Sequence, residues 1–171
     1  IYALNYLVGS VGKTGGIVFN PVPALTDVPL TPTTASFAEW KSLTEDMKQG
    51  QVEVLMVRGT DPLYGLTDGV KFRDALLGQN NGKFNVPLIV SFSDHIDDTT
   101  SMADIVLPEH NYLEDWGGDI PDPGPGYQTV GFQQPVVRPF LESRGSHLGT
   151  KGFADSLLAI ARVMNMELDL P

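Results

Sequence analysis

The chain has 171 residues, a formal net charge of −10, 42% hydrophobic and 19% charged residues, and no cysteine. Its length suits one domain with a substantial core, and its composition fits a globular fold rather than a disordered segment. The acidity argues against nucleic acid or an anionic membrane as partner. The missing thiols exclude disulfides, thiolate metal sites, iron–sulfur ligation and a cysteine nucleophile within these residues. No apolar run approaches the length of a membrane span.

In chain order, "IYALNYLVGSVGKTGG" (1–16) enters an amphipathic pattern without an initiator Met, which reads as a piece of a larger chain. Leu4, Leu7, Val8 and Val11 recur at helical spacing, and Gly9, Gly12, Gly15 and Gly16 stop the helix. "FNPVPALTDVPLTPTT" (19–34) reads as an extended surface loop. Ser36, with Glu39 three residues on, predicts a capping box for a helix to about Lys48, with Phe37, Trp40, Leu43 and Met47 facing the core. "VEVLMV" (52–57) reads as a buried parallel strand. Thr67 or Asp68 then caps a helix through Leu77, with Val70, Phe72, Ala75 and Leu76 as apolar positions and Gly78 as its stop.

"QNNGKFN" (79–85) reads as a loop and "VPLIVSF" (86–92) as a second buried strand. Ser101 to Ala103 predict a helical turn, and "DIVLP" (104–108) a third strand stopped by Pro108. Glu109 to Arg144 is rich in Gly, Pro and aromatics with little periodicity, and reads as an irregular segment packed over the sheet or against missing parts of a larger chain. A final helix from Gly152 or Phe153 would bury Phe153, Leu157, Ile160, Ala161 and Met164. The pattern predicts one α/β domain over 1–171. It is a Rossmann-like, small, mostly parallel sheet flanked by helices, with a long irregular Gly/Pro-rich segment.

In open α/β sheets, ligands bind beyond the carboxyl ends of the strands. Here those ends lead into Gly59–Pro62, Ser93–Thr100 and Pro108–Glu114. Gly59 lets a ligand approach the backbone, Thr60 can donate to a phosphate or hydroxyl, and Asp61 can accept from a ribose hydroxyl or a guanine edge. The simpler account is a strand-to-helix turn in which Asp61 satisfies local N–H groups. Asp94, His95, Asp97 and Asp98 cluster as metal ligands would, but no second histidine lies at ligand spacing. Glu114, Asp115 and Asp119 flank Trp116-Gly117-Gly118; a hydrated acidic loop is a simpler account of them than an acid–base pair. "GSVGKTGG" follows a helix rather than a strand, which rules out a phosphate loop of the nucleotide triphosphatase kind.

Several stretches line up in order with one family: "LNYLVGSVGKTGG" (4–16), "VRGTDP" (57–62), "SDHIDDTTSMADIVLP" (93–108), Glu114 before Gly117-Gly118, and "FADSLLAIARVMN" (153–165). Together they resemble the large molybdopterin-containing oxidoreductases of the dimethyl sulfoxide reductase type. "WGGDIPDPGPGYQTVGFQQPVVRPF" (116–140) looks more like the molybdopterin-type subunit of alternative complex III and related membrane-bound electron-transfer complexes. The resemblance implies a cofactor-binding-type domain whose post-strand loops hold the guanine-nucleotide end of molybdopterin guanine dinucleotide. Gly59, Thr60, Asp61 and Pro62 match the family's "GGNP" loop, and Ser93, Asp94 and Thr99 the loop after the next strand.

In such subunits the metal ligand and iron–sulfur cysteines belong to other segments. The isolated chain is therefore expected to hold no cofactor and to have no activity. The implied partners are other domains of the parent chain and the iron–sulfur and membrane subunits of an electron-transfer complex. The implied setting is bacterial and membrane-associated, on the periplasmic side, without direct membrane insertion. Asp61 stands where the family has Asn. An amide can donate to phosphate oxygens and a carboxylate cannot, so a pyrophosphate close to Asp61 is repelled by roughly a kcal/mol or more. Some members of the alternative complex III branch keep the fold without cofactor, so the alternative expectation is a structural and interaction module.

Overall fold

The computed structural model describes residues 2–20, 34–120, 129–139 and 149–166. Most of the proline- and threonine-rich loop expected at 19–34 lies outside them, as do residues 121–128 and 140–148 of the irregular segment. In chain order the elements are α1 (Tyr2–Leu7), α2 (Phe37–Lys48), β1 (Val54–Arg58), α3 (Pro62–Gly65), α4 (Phe72–Leu77), β2 (Gln79–Asn80), β3 (Lys83–Phe84), β4 (Leu88–Phe92), β5 (Ile105–Val106), β6 (Gly117–Asp119), β7 (Gly131–Gln133) and α5 (Phe153–Val163), with 3-10 turns at Asp68–Val70 and Thr100–Met102. They fall into two compact units, one of Ile1–Thr33 with Trp116–Gln134, the other of Thr34–Asp115 with Pro135–Pro171.

In the smaller unit, α1 ends earlier than its apolar spacing predicts. Val11 lies beyond the helix, in an isolated parallel bridge to Ile17, and Leu4, Leu7 and Val8 are exposed. Six residues with no buried face gain little from helix formation alone. The stretch expected to be irregular carries an antiparallel ladder, with Gly118 of β6 opposite Phe132 of β7.

The larger unit holds the α/β fold. Its sheet has the order β1-β4-β5, and both pairings are parallel. The register sets Met56 beside Val90 and Val90 beside Ile105. One face is covered by α2 and α4, where Met47, Val70, Phe72, Ala75 and Leu76 cluster with Val86 and Ile89, and Trp40, Leu43 and Leu55 pack against them. The Trp40 and Phe72 rings meet edge to face, with centroids 5.9 Å apart.

The capping box forms as the sequence predicts. Glu39 N–H donates to Ser36 Oγ at 3.3 Å, and Ser36 N–H donates to Glu39 Oε2 at 2.6 Å. Ser36→Ala is therefore expected to destabilise the chain by about 1 kcal/mol, seen as a lower urea midpoint at unchanged slope.

Several expectations need correction. Phe37 is 52% exposed, because it sits in the first turn of α2 with Lys41 Nζ 5.4 Å from its ring. Buried Thr44 faces inward instead and donates to Val70 O. β1 is parallel but is an outer strand of the sheet among the described residues, and only Val57 within it is buried. The helix expected from Thr67 or Asp68 to Leu77 breaks at Lys71, which is left-handed (φ 59°). The expected loop 79–85 contains the β2–β3 hairpin, turned through Asn81 (φ 51°) and Gly82 (φ 76°). β5 spans only Ile105–Val106, although Leu107 N–H still donates to Ser91 O. In α5, Ala161 is buried and Phe153, Leu157 and Ile160 are half-buried, but Met164 follows the last turn and is 64% exposed.

Candidate functional site

The carboxyl ends of β1, β4 and β5 bring the three expected loops to one edge. After β1, Gly59 adopts φ 62°, and a Cβ built there meets nothing within 4 Å. Its requirement is conformational, as a left-handed backbone favours glycine. Thr60 beside it is exposed. Asp61 then caps α3, with Pro62 buried at the first helical position, where a missing N–H costs nothing.

The Asp61 carboxylate faces the next loop. Its Oδ1 accepts from Thr99 Oγ1 at 2.5 Å, Thr99 N–H at 3.1 Å and Tyr64 N–H at 3.4 Å, and its Oδ2 accepts from Asp98 N–H at 3.3 Å. Thr99, fully buried, returns the connection by accepting from Leu63 N–H at 3.0 Å. Partial desolvation pushes the Asp61 carboxyl up. The hydrogen bonds from Thr99, Tyr64 and Asp98 together outweigh it and hold the group below the ordinary aspartate range.

Ser93 and Asp94 form a separate local turn. Ser93 Oγ donates to His95 O at 2.8 Å, and Asp94 Oδ1 lies 2.7 Å from His95 Nδ1. Asn111, from the loop after β5, reaches Asp94 Oδ2 at 3.5 Å. His95 is held above its ordinary range, chiefly by the Asp94 hydrogen bond, and Asp94 is correspondingly lowered. Asp97 is occupied as a cap, with its Oδ1 accepting from Thr100 N–H at 2.6 Å. Among the described residues, no group of three or more His, Asp or Glu side chains could hold a metal ion.

Sequence reasoning passed over the other half of this edge. Arg58, the last residue of β1, donates from Nε to Glu109 Oε1 at 2.6 Å and from Nη2 to Glu109 Oε2 at 3.1 Å. The same guanidinium lies 4.3 Å from the Phe153 ring centre, and Phe153 meets Phe92 edge to face at 5.0 Å. Arg58 pairs laterally with Phe92, so this cluster stands at the carboxyl end of the sheet. The only signal was an arginine ending an apolar run, and nothing local points to a glutamate 51 residues away. His110, beside Glu109, is engaged with Thr150 Oγ1 at 2.8 Å.

The edge thus joins Asp61 to Thr99, leaves Gly59 and Thr60 open, and keeps Ser93 and Asp94 in their own turn. Its charge is set by Asp61, Asp94, Asp97, Asp98 and Glu109 against Arg58 and His95, and Arg58 is neutralised by Glu109. A guanine edge offers N–H donors that such carboxylates can accept. A pyrophosphate needs donors, and the N–H groups of Asp98, Thr99 and Tyr64 are already given to Asp61. Those three donors are therefore not available to a pyrophosphate, and Gly59 and Thr60 are the positions of the β1 loop left open to one.

No protein-family model matches this chain. A curated relative does. The menaquinone reductase, molybdopterin-binding-like subunit of Nitratidesulfovibrio vulgaris (strain Hildenborough) is 28% identical over 171 residues, covering 97% of this chain. The chain spans 23% of that relative's length. The similarity supports a relationship to molybdopterin oxidoreductases at a coarse level. No helix among the described residues is long and apolar enough to cross a membrane.

Proposed function

We propose that this chain is a cofactor-domain-type α/β module of an oxidoreductase large subunit in a respiratory, membrane-associated electron-transfer complex, kept there as a structural and interaction element. The observation that carries the proposal is the Asp61 carboxylate inside the donor nest of the second loop. Backbone N–H groups clustered at a turn and a helix start are what binds phosphate in nucleotide-binding α/β folds. Here an internal anion fills that role and ties the β1 loop to the β4 loop. The relative's name, molybdopterin-binding-like, and its description as part of a menaquinone reductase supply the oxidoreductase setting. Other domains of a longer chain, with iron–sulfur and membrane subunits, would then be the partners, and this module alone would have no activity.

A second reading rests on the open Gly59-Thr60 backbone. In it, Gly59, Thr60, Asp61, Pro62, Ser93, Asp94 and Thr99 hold molybdopterin guanine dinucleotide, with the acidic side chains turned to the guanine rather than to the pyrophosphate.

The test is metal and pterin content of the native protein, purified with its partners. Folded protein free of molybdenum, tungsten and pterin is expected; stoichiometric pterin guanine dinucleotide sinks the structural reading. Calorimetry with GDP gives a second measurement. Asp61→Asn is expected to bind more tightly than the wild type, because the charge repulsion with the phosphates is removed. Equal affinity counts against the charge argument.

A further inference from the structure

We infer that the Val54–Met56 face of β1 is a docking surface for an apolar segment of the same polypeptide outside these 171 residues. Residues paired laterally in a parallel ladder share a face. Val54, Met56 and Arg58 therefore share one with Leu88, Val90 and Phe92, and with Ile105. Parallel sheets are covered on both faces, because their backbone crossovers lay helices over each. The opposite face meets this condition through Leu55 and Ile89, which pack with the α2 and α4 cluster.

On the Val54 face the cover is partial. Val90 and Phe92 on the central strand are 5% and 1% exposed, and Phe153 of α5 meets Phe92. Val54 and Met56, on the outer strand, remain 45% and 51% exposed. β1 also has no strand partner on its outer side among the described residues. Natural edge strands are guarded by lysine, proline or a bulge. "VLMVR" has only Arg58, and Glu109 holds that side chain.

Among the described residues, an apolar outer strand with no partner on its outer edge and a half-exposed face is an incomplete layer. The relative indicates what completes it: the counterpart of this chain makes up 23% of a longer polypeptide. A segment of the same chain also has a high effective concentration at this face, which a separate subunit lacks. The inference rests on reading this chain as one module of a longer large subunit.

The experiment places a benzophenone photo-cross-linker at Met56 in the full-length native protein, with Tyr64 (82% exposed, on α3) as the control position. Mass spectrometry is expected to find Met56 cross-links to peptides of the same polypeptide outside this segment, with few from Tyr64. Hydrogen exchange on the unmodified protein removes dependence on the substitution, and the Val54–Arg58 amides that point away from β4 are expected to be protected as well as those bonded to it. Cross-links confined to another subunit or to residues 1–171, or none together with fast exchange at the amides that point away from β4, overturn the proposal. Co-purifying subunits, scored in the same preparation, test the electron-transfer reading separately. A protein with no partners but with self cross-links at Met56 keeps the docking surface and sinks the complex.

Discussion

Phe92→Ala is expected to lower the stability of the chain by about 3–5 kcal/mol. Phe92 ends the central strand β4, is 1% exposed and is among the largest fully buried side chains. Truncation removes its transfer energy and leaves a cavity that a β-ladder, fixed on both sides by β1 and β5, cannot close. The edge-to-face pair with Phe153 is lost as well, and with it the seat of α5 at the carboxyl end of the sheet. Against a typical domain stability of about 5–15 kcal/mol, the loss approaches unfolding at the lower end. Urea denaturation followed by far-ultraviolet circular dichroism measures it. Phe153→Ala should cost less, since Phe153 is only half-buried. The double mutant should show a coupling of about 0.5–1.5 kcal/mol. Additive losses would mean that the ring pair does not hold α5 to the sheet.

Local signals were legible in the sequence, and lateral order was not. The α2 capping box is a property of Ser36 and Glu39 alone, and it forms as expected. The apolar runs at β1 and β4 mark strands, but an outer strand with an exposed face reads the same as a buried one. The break at Lys71 has a packing cause. Val70 and Phe72 are both buried in one cluster, yet residues two apart on a continuous helix point to opposite sides. A single left-handed residue between them re-aims the chain. The β2–β3 hairpin was signalled by Asn81-Gly82, a pair suited to a two-residue turn with positive φ, and the short apolar content around it hid the strands.

At the candidate site, position within each loop was legible and partnership was not. Gly59 has the positive φ that a glycine after a strand suggests. The local account of Asp61, as the residue satisfying its own turn, captured only the contact to Tyr64. The other contacts, to Thr99 and Asp98, span 38 and 37 residues. They exist because β4 lies beside β1, which no spacing rule encodes. The Arg58–Glu109 pair arises in the same way, from the outer strands on either side of β4.

Asp61→Ala is expected to be the most damaging polar substitution at this edge, at about 2 kcal/mol or more. Loss of a helix cap alone costs about 0.5–2 kcal/mol, and unpaired buried donors add to it. Thr99 is fully buried, and without Asp61 its N–H and hydroxyl lose their acceptor. Asp61→Asn should cost less: its carbonyl oxygen still accepts from Thr99, while its amide meets the Asp98 N–H as a second donor.

The sign of the pH dependence follows from the lowered carboxyl. Desolvation raises the folded pKa and the hydrogen bonds lower it further than desolvation raises it, so the folded state binds the proton less readily than the unfolded chain. The stabilisation is then fully present above the unfolded value, about 3.9, and is lost as pH falls through the folded one. The gap between the denaturation curves of wild type and Asp61→Ala should be widest near neutral pH and narrow below about pH 4. A gap that persists undiminished in acid would mean that the carboxylate charge does not stabilise the loops. The claim that Asp61 serves the β1 and β4 loops as a built-in anion would fall with it.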